Sequence, residues 1–238
     1  MNWIVVYDNE LNSDGLAQID GERHTHIKSI LKKGIGDTIQ VVIPNSGNFL
    51  FYIQSTTEKT TVIQKGNTIP DVLNPLRIQT FFSLPRPQTA KKLLHLAGAY
   101  GVETLYFYTT ETKNKEYWTS PVYHKDTVSY LETGLSQTGN SRLPSLVMEK
   151  TLSWKQFLKS WKGNVLILDR EGREFILPLT ELKNTAKDLL FVFGPESGWK
   201  TDDILFFQES GFSMMSLGKI NLRTEFAYSA LLHQLFKS

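Results

Sequence analysis

The chain has 238 residues, enough for two small domains or one large α/β unit, and its 40% apolar and 12% aromatic content belongs to a folded chain. A formal net charge of +2 gives no global basic footprint, so nucleic-acid binding would rest on local patches, and a neutral enzyme of small molecules is an equal reading of the composition. The absence of cysteine excludes disulfides, thiolate zinc sites and cysteine nucleophiles, and it fits a reducing cytoplasm.

Residues 3–7, Trp-Ile-Val-Val-Tyr, are apolar, lack a basic leader and are followed by Asp8. They read as a strand rather than a signal peptide, and no run approaches the roughly 20 apolar residues that span a bilayer. Further β segments at 38–43, 49–54 and 60–64, with a turn at Asn45-Ser46-Gly47-Asn48, predict a small β-barrel. Within 24–33, Ile27, Ile30 and Leu31 stand at helical spacing, so one short helix is expected against it. Pro70 and Pro75 then break any regular element, dividing the chain into domains at 1–70 and 75–238.

Beyond this linker strands and helices alternate: strand 77–83, helix 89–100, strand 104–109, helix 125–135, then strands 164–168, 189–193 and 212–216. Helices are expected at 201–208, with Thr201 as N-cap, and at 225–236. Alternation of this kind predicts an α/β domain with a parallel sheet.

Two stretches carry candidate chemistry. From Leu190 to Trp199 a buried-strand pattern runs into Gly194-Pro195-Glu196-Ser197-Gly198, at the strand end where ligands of open α/β sheets gather. Gly194 and Gly198 permit positive φ or close backbone approach and Pro195 stiffens the turn, although Gly-Pro-x-x-Gly describes an ordinary turn equally well. The second stretch is Ser216-Leu217-Gly218 followed by Leu222-Arg223-Thr224-Glu225. Helix capping by Thr224 and the helix dipole at Glu225 explain two of its polar residues. They do not explain Arg223, a cation at the positive end of a helix, so an anionic or electron-rich group is expected to face it. No Walker loop and no post-strand Gly-x-Gly-x-x-Gly is present, and His24, His26, His95, His124 and His233 lack ligand spacing, so neither a dinucleotide nor a metal site is expected.

Together these motifs, with Ala227, resemble the signature of the SPOUT superfamily, in particular the bacterial 16S ribosomal RNA uracil-N3 methyltransferases. Gln137-Thr138-Gly139-Asn140-Ser141-Arg142-Leu143-Pro144 is similar to that family's Gln-Ser-Gly-Arg-Ser-Arg-x-Pro segment. His26-Ile27 with Ile30-Leu31-Lys32 and Gly36-Asp37 is similar to its N-terminal pattern. The resemblance runs in order from about residue 20 to the C-terminus. It implies a deep trefoil knot in the C-terminal domain, a PUA-like N-terminal barrel, a homodimer whose active site draws on both subunits, and S-adenosylmethionine as cofactor. Carried over residue by residue, it implies a cofactor site at Leu168, Phe193, Gly194, Pro195, Glu196, Gly198, Ser216, Leu217, Gly218, Leu222 and Thr224. The substrate implied is N3 of a uridine in the RNA of the small ribosomal subunit.

Ser197, Asn140, Lys32 and Phe226 depart from the family's Gly, Arg, Arg and Thr, and Lys219-Ile220-Asn221 stands where Pro-Arg-Ile is common. These departures bear on the target nucleotide more than on the cofactor. A knotted methyltransferase of ribose 2′-hydroxyls or of transfer RNA, and a non-catalytic RNA-binding relative, are the competing readings. For N3 methylation a guanidinium suits the developing charge, which assigns Arg223, with Glu225 as first and Glu196 as second candidate proton acceptor. Arg23, Lys28, Lys32 and Lys33 outnumber Glu22 and Asp37 and form a candidate RNA patch, a solvated helix face being the alternative. Arg86 and Arg142 are expected at the catalytic cleft.

Overall fold

The computed structural model describes residues 3–73, 78–174 and 189–236. Asn74, Pro75 and Arg77 of the expected linker and strand lie outside the described residues. The first sheet comprises β1 (Trp3–Val5), β2 (Leu16–Asp20), β3 (Thr38–Ile43), β4 (Gly47–Thr56) and β5 (Thr60–Ile69), in the order β1-β3-β4-β5-β2. β1 runs parallel to β3 and the other neighbours are antiparallel. Alternate residues fill its inner face, among them Ile19, Ile39, Val41, Phe51, Ile53 and Ile63. β2 was absent from the sequence reading; its short Leu-Ala-Gln-Ile-Asp alternation buries Ala17 and Ile19. The expected helix at 24–33 is instead α1 (Gly21–Thr25) continued by a π-helical turn at His26–Ile30. The wider turn buries Ile27 and turns Ile30 outward, so the 3.6-residue spacing is only partly used.

The second sheet contains β6 (Ile78–Ser83), β7 (Thr104–Tyr108), β8 (Ser145–Glu149), β9 (Asn164–Glu174), β10 (Leu189–Phe193) and β11 (Ser213–Ser216). Their order is β11-β9-β10-β6-β7-β8 and every neighbouring pair is parallel. The helices are α2 (Pro87–Tyr100), α3 (Thr127–Thr138), α4 (Trp154–Ser160), α5 (Thr201–Glu209) and α6 (Thr224–Phe236). β6 and β10 are buried along their whole length; β10 accordingly reads as a continuous apolar run, while β6 also buries Gln79, Thr80 and Ser83. Alternation sorts their side chains: Phe82, Phe191 and Phe193 pack under α2, α3 and α6 with Leu94, Leu131 and Tyr228. Phe81, Leu190 and Val192 pack under α4 and α5 with Trp154, Leu158 and Phe207. Among the described residues no helix is long and apolar enough to cross a membrane.

Helices α2 and α3 meet at two glycines. A Cβ on Gly98 would strike the Leu131 carbonyl, and one on Gly134 the backbone of His95 and Ala99. The loop after α3 carries the junction between the sheets. Asn48 Nδ2 donates to the Gly139 carbonyl at 2.5 Å and to Asp71 Oδ1 at 2.7 Å, while Ser141 Oγ donates to Asp71 Oδ2 at 2.9 Å. The Asn45 amide donates to the Ser141 carbonyl at 2.7 Å. Trp3, Val42 and Leu135 close the seam, and Tyr7 donates to Glu132 beside it. In a parallel sheet the loops that follow helices lie at the N-terminal edge of the strands, so the first sheet is docked there.

Candidate active site

The opposite edge collects the loops that follow strands. β6 leads outward to β7 and β8, whereas its neighbour β10 connects towards β11, so the sheet reverses its winding between β6 and β10. Such a switch point opens a crevice at the strand ends. Arg86 enters it from the N-cap position of α2 and Glu196 from the turn after β10, and the two form an ion pair at 2.9 Å.

Three expected cofactor loops lie side by side, because β11, β9 and β10 are consecutive in the sheet. Phe193 is in register with Leu168. The two glycine turns, after β10 and β11, are separated by β9, about 10 Å apart at two strand spacings. β9 does not end at 168 as expected. Its pairing with β11 jumps from Ile167 to Arg173, so 168–172 bulge out at this edge, and Gly172 is needed because a Cβ there would meet the Met215 backbone at 2.6 Å. Gly198 and Gly218 have φ of +82° and +115° with open space around them, so their requirement is conformational. Ser216 Oγ donates to the Gly218 carbonyl at 3.0 Å and accepts from the Gly218 amide at 3.2 Å, which fixes the second turn.

Helix starts differ by one residue from expectation. Lys200, not Thr201, is the N-cap of α5. The Arg223 carbonyl accepts from the Ala227 amide at 2.9 Å, so Arg223 holds the N-cap position of α6 and Thr224 and Glu225 are its first helical residues. Propensity favours Thr as a cap, but backbone geometry set by the preceding loop decides. Arg223 is exposed and Leu222 half-buried. Glu225 is buried, and Lys92 of α2 donates to Glu225 Oε1 at 3.0 Å. Burial pushes the Glu225 carboxyl up, but its backbone amide, Lys92 and the Arg223 charge outweigh this and hold it below the usual carboxylate range.

A carboxyl lowered by folding stabilises above its unfolded pKa of about 4.3, and the gain is lost as pH falls through the folded value. Lys92→Met is therefore expected to lower the urea midpoint more at about pH 7 than at about pH 3; equal losses at both values would exclude this pair as the source.

The remaining expected residues lie elsewhere. Arg142 follows α3, so it sits at the opposite edge of the sheet from the crevice where it was expected, half-buried in the junction loop. Arg23 pairs with Glu10 at 2.6 Å and donates to the Val5 carbonyl at 3.0 Å, so its charge is largely used within the first sheet. Lys28, Lys32 and Lys33 are exposed together around the π-helical turn. His24 is buried against Thr61 and the Glu58 carbonyl, a structural histidine, and no cluster of metal-ligating side chains occurs among the described residues. Sequence reasoning missed Lys92, Glu111 and Trp199. Glu111 accepts from Ser197 Oγ at 3.3 Å, which gives the Ser197 departure a partner, and nothing local in the sequence connects positions 86 apart. Trp199 stands in the motif stretch next to Gly198, but the pattern assigns it no role.

A family model described as the RNA methyltransferase domain matches residues 72–235. The chain belongs to this family. The methyltransferase is similar to ribosomal RNA small subunit methyltransferase E of Treponema pallidum, 28% identical over 240 residues, covering 95% of this chain and 88% of that protein. It is also similar to ribosomal RNA small subunit methyltransferase E 1 of Borreliella burgdorferi, 22% identical over 95% of this chain and 94% of that one. Its fold is shared with a putative methyltransferase of Legionella pneumophila in complex with bound SAM (TM-score 0.72, 20% identity, 98% and 96% of the two chains). A ribosomal RNA small subunit methyltransferase E of Neisseria gonorrhoeae bound to S-adenosyl methionine has a TM-score of 0.70 at 17% identity, covering 96% of each chain.

Proposed function

We propose that this chain is an S-adenosylmethionine-dependent methyltransferase acting on N3 of a uridine in the RNA of the small ribosomal subunit, in the cytoplasm. The observation that carries the reading is the lining-up of the 168–172 bulge of β9 with the turns after β10 and β11 at one sheet edge, in a chain of the RNA methyltransferase domain family whose relatives are named for the small ribosomal subunit. We read residues 1–70 as a PUA-like barrel and 75–238 as a SPOUT domain tied in a trefoil knot; the all-parallel six-stranded sheet is consistent with the SPOUT reading.

The residues present suit the cofactor. The half-buried Leu168, the buried Phe193 and the turn backbone from Gly194 through Pro195 and Glu196 to Gly198 lie at the same edge as Ser216, Leu217, Gly218, Leu222 and Thr224, where turn amides and carbonyls are available. S-adenosylmethionine supplies a methyl group on a sulfonium. Arg223 donates to the uracil oxygens and stabilises the charge that grows as N3 loses its proton. Glu225 takes that proton: held low by Lys92 and Arg223, it is a modest base, and Arg223 compensates by acidifying N3. Glu196 is tied to Arg86 and organises the crevice. Ile220 is 77% and Phe226 57% exposed on either side of Arg223, which supports a homodimer covering this rim.

The test is to incubate the protein with labelled cofactor and small subunits lacking their own methylation, then map the label by primer extension. A single hard stop is expected, since N3 methylation blocks pairing; labelled RNA without a stop would indicate the ribose. For RNA contact, reversing charge at Lys32 and Lys33 is expected to weaken binding and to reduce the slope of log K against log salt by about 2. Unchanged binding would discard the patch.

A further inference from the structure

Trp199 touches two of the three loops at once. Its Nε1–H donates at 3.3 Å to the carbonyl of Leu168, the first residue of the bulge in β9. Its ring also fills the space beside Gly194, where a Cβ would come within 2.7 Å of the indole. From below, the buried Trp154 stacks on it at 5.5 Å between centroids with 29° between planes, and the buried Phe207 meets it edge-on at 4.9 Å. The ring is thus anchored in the core under α4 and α5 while its polar end reaches the sheet edge. Gly194 is explained by the indole beside it rather than by a ligand.

We propose that Trp199 is a positioning residue, a wedge that fixes the Leu168 carbonyl and the Gly194 backbone at the separation that receives the purine of the cofactor. This rests on the cofactor site proposed above. A carbonyl oxygen accepts two hydrogen bonds. The indole takes one at 3.3 Å and thereby fixes how this carbonyl is presented at the sheet edge to an exocyclic amine.

The probe is S-adenosylhomocysteine, titrated calorimetrically into the full chain and its variants, alongside steady-state kinetics with RNA. Trp199→Phe keeps a ring against Trp154 and Phe207 but removes the donor. It is expected to weaken binding about fivefold, the scale of one neutral hydrogen bond, and to raise KM for the cofactor in step while kcat and KM for RNA hold. Trp199→Leu, which removes the donor and most of the wedge, is expected to weaken binding further with the same selectivity. Binding within twofold of the unmodified protein in both variants overturns the proposal, as does a loss spread equally over kcat and RNA KM. If the unmodified protein binds no S-adenosylhomocysteine, the cofactor site itself is wrong and the wedge falls with it.

Discussion

Replacing Arg223 by alanine is expected to cut turnover by about 10²-fold or more while leaving cofactor affinity within about tenfold, the scale of losing one preorganised donor to a developing charge. The side chain is exposed at the start of α6 and makes no packing contribution to the core clusters, so the fold has little reason to respond. Lysine at this position keeps the charge but loses the planar fork, and Arg223→Lys is expected to recover only part of the rate. The measurements are single-turnover methylation and calorimetric cofactor binding. A collapse of cofactor affinity in Arg223→Ala would make the residue a structural part of the loop after β11 and remove it from the chemistry.

Gly98→Ala is expected to destabilise the chain by about 3 kcal/mol, which at this size corresponds to a fall of roughly 6–12 °C in the unfolding midpoint. The added methyl meets the Leu131 backbone, which cannot rotate away as a side-chain tip would. Helices α2 and α3 must separate instead, and α2 also packs against α6. Gly134→Ala presses on the same crossing from α3 and should be similarly costly, with the double change less than additive because both force one separation. Gly211→Ala is the comparison: its methyl meets nothing within 4 Å, so only its φ of +69° is strained and the loss is smaller. Equal midpoints for Gly98→Ala and Gly211→Ala would show that the crossing is looser than described.

The elements legible in the sequence are those whose pattern has one physical cause. β10 is apolar throughout because helices cover both faces, and α2 carries Ala90, Leu93, Leu94 and Ala97 on one buried stripe between Pro87 and the left-handed Gly101. β8 was missed because it lies at the sheet edge, where Leu146, Val147 and Met148 are only half covered or exposed and Ser145 and Glu149 flank them. α4 was missed because its seven residues bury chiefly Trp154 and Leu158, too few for a periodic signal. At the site, the glycine turns after β10 and β11 were legible as turns. Their arrangement was not, since it depends on β9 entering the sheet between β10 and β11. The Lys92–Glu225 pair joins positions 133 apart and Arg86–Glu196 joins two distant loops; only the folded sheet brings them together.

The first sheet grips the strand-entry end of the second through Asp71, Asn48 and the 139–143 loop, while the crevice opens at the strand-exit end. Five-residue strands put at least about 17 Å between those two levels. A nucleic acid that reaches from the exposed lysines near the π-helical turn to Arg223 on the same chain must therefore bridge that gap, about five nucleotides at 3.4 Å each. On the proposed roles of the lysines and Arg223, a dinucleotide or free uridine occupies only one end, and catalytic efficiency is expected to climb once the oligomer exceeds this reach.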